Sequence, residues 1–173
     1  MRPLRIGARA LACAPVLALA ACATAAPPRP DAFIPRQAHI VALRDKAHVA
    51  TKNRRQAWAL TRPLTYRTLA GDTITVPAGM VTDLASIPAF VSPILPPDGP
   101  WSQAAMVHDF LYLTHGTCVW KRHPSSCSRA APYSRAEADR ILFDAMGDLG
   151  VTGWRPQLIY DGVRLGGSVG WGD

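Results

Sequence analysis

The stretch Met106-Val107-His108-Asp109-Phe110-Leu111-Tyr112 constrains this fold more than any other part of the chain. Two ionisable residues sit inside an apolar run of helical character. Burying them without partners is costly, so the helix must pack where partners are supplied. Tyr112 follows His108 by four residues and shares its face. The next helical segment offers a carboxylate, Asp139, in Glu137-Ala138-Asp139-Arg140, within an otherwise apolar stripe. Two antiparallel helices would set Asp139 beside His108. A carboxylate that holds one imidazole nitrogen leaves the other to deprotonate water. Asp109 points about 100° round the helix, towards a cation or towards the loop before it. That loop contains Thr82-Asp83-Leu84-Ala85-Ser86-Ile87-Pro88, a second carboxylate and a hydroxyl.

The elements around this pair follow from periodicity and punctuation. His39 to Leu43 reads as a short strand. Trp58 to Leu69 carries β-formers, with Pro63 arguing for an edge or a bulge. Ala70-Gly71-Asp72 is a turn, and Thr73-Ile74-Thr75-Val76 alternates as a strand. Pro77 to Pro100 is loop-like. Ser102 can cap a helix running to about Thr114, ended by Gly116. Ser134 with Glu137 makes a capping box, and the helix behind it buries Ala138, Ile141, Leu142, Ala145 and Met146. Gly150 stops it. Pro156 opens a third helix, ended by Gly166-Gly167. The expected class is α+β: a small N-terminal antiparallel sheet or hairpin, then about three helices.

The first residues stand apart from this domain. Arg2, Arg5 and Arg9 precede an apolar run from Ala10 to Ala21. The run is shorter than the roughly 20 residues that span a bilayer and suits the core of a signal peptide. It ends in Leu19-Ala20-Ala21-Cys22, which resembles the bacterial lipobox. That resemblance implies cleavage after residue 21 and acylation of the Cys22 thiol. Ala23, rather than Asp, implies sorting to the outer membrane, facing the periplasm. Residues 22 to 36 are rich in Ala and Pro and read as a lipidated tether. Residues 37 to 173 then form one domain.

Of the formal charge of +7, three units are the leading arginines, which leaves +4. Local clusters stand at Lys52, Arg54 and Arg55, and at Lys121, Arg122 and His123. They read as solvated faces, or as patches suited to an anionic membrane. No motif of a nucleic-acid module is present. The expected partner is therefore a membrane, with any protein partner unspecified. Export places Cys118 and Cys127 in an oxidising compartment, which favours a disulfide. The alternative is a metal pair aided by His115 or His123.

Two resemblances rest on these motifs. Val81-Thr82-Asp83-Leu84-Ala85-Ser86-Ile87-Pro88, then His108-Asp109-Phe110-Leu111-Tyr112, then Arg135-Ala136-Glu137-Ala138-Asp139-Arg140 is similar to the domain-of-unknown-function family 1353. That family is common in phages and prophages, and the similarity runs from about Trp58 to the C-terminus. It implies a fold relation and brings no activity with it. The order His108, Asp109, Tyr112, Asp139 also resembles secreted His-Asp phospholipases. That resemblance implies that His108 activates water, Asp109 binds calcium, and Tyr112 and Asp139 orient His108. The flanking cysteines and the glycine-rich calcium loop of those enzymes are missing.

Other readings use the same residues. His108 and Asp109, with Asp83 or Asp139, suit a divalent cation such as zinc in a peptidase or amidase. A purely structural network would have Asp109 paired with Arg135 or Arg140 and His108 satisfied in the core. Ser86 lacks the Gly-x-Ser-x-Gly context of a nucleophile. The sequence therefore supports a hydrolase with a His-Asp site acting on lipid or another envelope polymer. It equally admits a non-enzymatic envelope or prophage accessory protein.

Overall fold

A computed structural model describes residues 27–43, 56–84, 99–121 and 126–172. The signal segment, Cys22, the cluster at Lys52 to Arg55, Ser86 and the Arg122–His123 pair lie outside the described residues.

Among the described residues, six short strands form two antiparallel sheets. One sheet orders β1 (Phe33–Ile34), β4 (Leu64–Arg67) and β5 (Thr73–Val76). The other orders β2 (Ile40–Ala42), β3 (Trp58–Leu60) and β6 (Val81–Thr82). The expected single sheet or hairpin is thus two sheets, and the α+β class holds. Pro63 explains the difference, since the long run Trp58 to Leu69 breaks beside it into β3 and β4. Alternation sets the faces. Leu64 and Tyr66 of β4 pair with Val76 and Ile74 of β5, and all four side chains are buried. Gly71, at φ +91°, makes the turn between them.

Strand structure is not confined to the N-terminal half. Beyond the first helix the chain returns to the free edge of β5, where Thr75 N–H donates to Ser126 O and Ser128 N–H to Thr73 O. Residues 29 to 36, assigned above to the tether, also lie on the domain. Phe33 is buried, and β1 pairs with β4 in the register Phe33 to Tyr66.

Among the described residues four helices follow: α1 (Ser102–Leu113), α2 (Arg135–Asp148), α3 (Arg155–Gly166) and the short α4 (Ser168–Trp171). The capping box forms as read: the Ser134 hydroxyl accepts Glu137 N–H, and the Glu137 carboxylate accepts Ser134 N–H. Arg129 adds a bidentate pair to Glu137, and these bonds hold that carboxyl down to about 2. Ser102 does not cap α1 as expected. It occupies the first turn and exchanges hydrogen bonds with Gly99. The apolar positions of α2 are buried as the periodicity required, and α1 packs on both α2 and β5.

Cys118 and Cys127 form a disulfide, which leaves no thiolate pair for a metal. It ties the strand-like return at Ser126 to the end of α1. Closing so short a loop stabilises by about 2–3 kcal/mol in the chain-entropy picture. A Cys118→Ala/Cys127→Ala double variant is therefore expected to lose that amount in urea unfolding. A loss below about 0.5 kcal/mol would show that the bond constrains nothing the fold does not already hold.

Candidate functional site

The site is built where α1, α2 and α3 meet. The chain reverses between α1 and α2, and Tyr133 N–H donates to Gly116 O at the crossing. Gly116 is required there: it adopts φ +73°, and a Cβ would lie 1.9 Å from the Tyr133 carbonyl oxygen.

This crossing sets Asp139 against His108. Asp139 is fully buried and would be costly to ionise alone. It has four basic or hydroxyl neighbours. His108 Nε2 lies 2.9 Å from Oδ1, and the Tyr112 hydroxyl donates to the same oxygen at 2.7 Å. The Arg164 guanidinium donates to Oδ2 at 2.7 Å, with Arg135 at 3.9 Å from that oxygen. Burial pushes the Asp139 carboxyl up, but the bonds from His108, Tyr112 and Arg164 outweigh it, and its pKa falls below the usual range. Burial and the bond to Asp139 raise the Tyr112 phenol, keeping it a donor.

His108 is 2% exposed and lies between two carboxylates. Its Nδ1 stands 3.6 Å from Asp109 Oδ1, while Nε2 meets Asp139. Burial lowers its pKa, but the two carboxylates more than compensate and raise it overall. The Asp109 side chain is 16% exposed, so the network opens towards solvent on that side. The Thr82 hydroxyl at the end of β6 donates to Asp109 Oδ2. The same hydroxyl oxygen accepts Leu84 N–H at 3.0 Å. Leu84 takes φ +52°, unusual for a branched side chain, and its side chain is fully buried. Asp83 sits half-buried in this turn.

The structure thus brings His108, Tyr112 and Asp139 into direct contact and joins Asp109 to them through the ring. The expected link between the Thr82–Pro88 loop and α1 includes Thr82, which the sequence reading treated only as a neighbour of Asp83. Among the described residues, no group of three His, Cys, Asp or Glu side chains is placed to hold a metal ion.

Arg164 is the participant that sequence reasoning missed. Its signal was position: α3 buries Ile159 and Val163 against α2, and the next residue can reach the buried acid. Gly167 completes the closure, because a Cβ there would stand 2.3 Å from the Tyr112 hydroxyl. Trp171 packs edge-on against Tyr112, with ring centroids 4.9 Å apart.

This arrangement can orient one imidazole nitrogen, hold Asp139 ionised, and leave Asp109 partly open to solvent. No curated protein and no solved structure matches the chain. A family described as "Protein of unknown function (DUF1353)" matches residues 58–163, a span that includes all of these residues except Arg164, Gly167 and Trp171. With more than half of its 173 residues matched, the chain belongs to that family.

Proposed function

We propose that this protein is an envelope lipoprotein, anchored through acylated Cys22 in the outer membrane and facing the periplasm. In this reading it is a hydrolase in which His108 activates water against lipid or another envelope polymer. The observation that carries the chemistry is the contact of His108 Nε2 with Asp139, which also accepts the Tyr112 hydroxyl. The buried carboxylate fixes the ring and stabilises the imidazolium that forms when Nδ1 takes a proton from water. A water on the Asp109 side is the one within reach, since that side chain keeps solvent access. The water oxygen then attacks the ester or amide carbon, and His108 returns the proton to the leaving oxygen or nitrogen.

The test is hydrolysis by the purified full chain of phospholipid vesicles and of peptidoglycan. Each is assayed with added calcium, with added zinc and with chelator. Turnover of one of the two substrates is expected. Absence of turnover on both, under all three conditions, would remove the reading.

A second reading is favoured by a separate observation, the near-complete burial of His108. In it the network is a clamp joining three helices, and the protein is a non-enzymatic envelope or prophage accessory that binds a surface partner. The His108→Ala variant then loses thermal stability while no substrate is turned over by either form.

A further inference from the structure

Helix α3 has two faces of opposite use. Pro156, Ile159 and Val163 are buried against the domain. Trp154 at its start is 54% exposed, Leu165 81% and Val169 89%, the last two being the most exposed large apolar side chains described. α3 ends at Gly166, and Gly167, whose N–H donates to Val163 O and which keeps right-handed helical angles, leads directly into α4. At 100° per residue, Trp154 and Leu165 fall within roughly 20° of each other and Pro156, Ile159 and Val163 fall on the far side, while Leu158 between them packs inward and Val169 follows in α4. Trp154, Leu165 and Val169 form one outward stripe about 20 Å long. Asp161 interrupts it and is engaged by the Gln157 amide at 2.8 Å. Arg155 lies over the Trp154 ring at 5.4 Å, a cation beside an interfacial aromatic.

The N-terminal arm ends at the same corner. Arg29 makes a bidentate pair with Asp148, the last residue of α2, at 2.8 and 2.5 Å, and also reaches the Tyr66 hydroxyl. Pro28 and Arg29 share a groove with Leu149 and Gly150, four residues before Trp154. Cys22 precedes Arg29 by seven residues, a reach of at most about 25 Å. A lipid on Cys22 therefore lies within about 25 Å of Arg29.

We infer that Trp154, Leu165 and Val169 form a membrane-docking face, seated on a phospholipid bilayer and oriented by the Arg29–Asp148 clamp. The inference rests on the lipidation of Cys22 proposed above. Its consequence for that site is direct. The docking helix also supplies Arg164 to Asp139 and, through Gly167, the surface against Tyr112. The catalytic network and the bilayer contact share one element.

The test uses the full chain, expressed in a bacterial host, extracted and reconstituted in phosphatidylethanolamine and phosphatidylglycerol vesicles with brominated acyl chains. Intact mass reports the lipid, and tryptophan quenching by bromine reports docking. The expected result is the lipid mass together with quenching that falls at least twofold in Trp154→Phe. It should fall as much in a Leu165→Glu/Val169→Glu variant that keeps all five tryptophans. Lipid mass with no quenching, or with quenching untouched by either variant, overturns docking and leaves the lipoprotein reading standing. Absence of the lipid mass overturns the anchor, and the docking inference with it.

Discussion

Replacing Asp139 with alanine is expected to cost about 3–5 kcal/mol, the range for removing one partner of a buried charge pair. The change leaves the His108 ring and the Tyr112 hydroxyl facing an apolar gap. Arg164 contributes less, because its side chain is 35% exposed and can turn to water. For a domain of this size the midpoint should fall by roughly 10–20 °C in thermal circular dichroism. Asp139→Asn keeps an oxygen for Tyr112 but loses the charge that Arg164 and His108 pair with, so it should fall between. A midpoint within about 2 °C of wild type for the alanine variant would show that the network holds nothing together.

The same pair of groups fixes the pH dependence. Asp139 has a lowered pKa in the fold, so its contribution is present above its unfolded value and is lost as pH falls through the folded one. His108 has a raised pKa, so its contribution is complete below about 6.5 and is lost as pH rises through its folded value. Stability from this network should therefore peak between the two, on the acidic side of neutral. The Asp139→Asn variant should flatten the acidic limb.

How much of this was legible in the sequence depended on the range of the interaction. Local signals carried furthest. The strand Thr73–Val76, the capping box at Ser134 and the apolar stripe of α2 follow from a few neighbouring residues, and they form as read. The meeting of His108 with Asp139 was also legible, because two buried charges in adjacent apolar helices have few other ways to be satisfied. Long-range pairing was not. Nothing near Ser126 announces that it adds to the edge of β5, and the register of β1 on β4 joins residues far apart in the chain. Proline content made residues 29 to 36 look like free tether. Yet one aromatic, Phe33, and one cation, Arg29, bind that segment to Tyr66 and Asp148. Arg164 escaped notice for a similar reason. Its partner lies 25 residues away on another helix, and an arginine on a polar face has no periodicity to mark it.

The sharpest test of chemistry is His108→Gln. Glutamine fills much of the ring's space and can donate its amide to Asp139, so the fold should persist with a small change in midpoint. It cannot act as a base. If His108 activates water, turnover should fall by about 10²–10⁴, the usual contribution of a positioned general base. The pH profile separates this from a loss of positioning. His108 must be neutral to take a proton, and its pKa is raised by Asp109 and Asp139 against the effect of burial. The wild-type rate should therefore climb with pH through a midpoint above 6.5, over the range where the network's own stability is declining. That opposition follows from one proton: the imidazolium is what the two carboxylates hold best, and the imidazole is what the reaction needs. In the glutamine variant the climb should vanish while the stability profile loses only its alkaline limb. If turnover stays within threefold of wild type and the climb survives, another group takes the proton, and Asp109, the carboxylate of this network with solvent access, becomes the base to test.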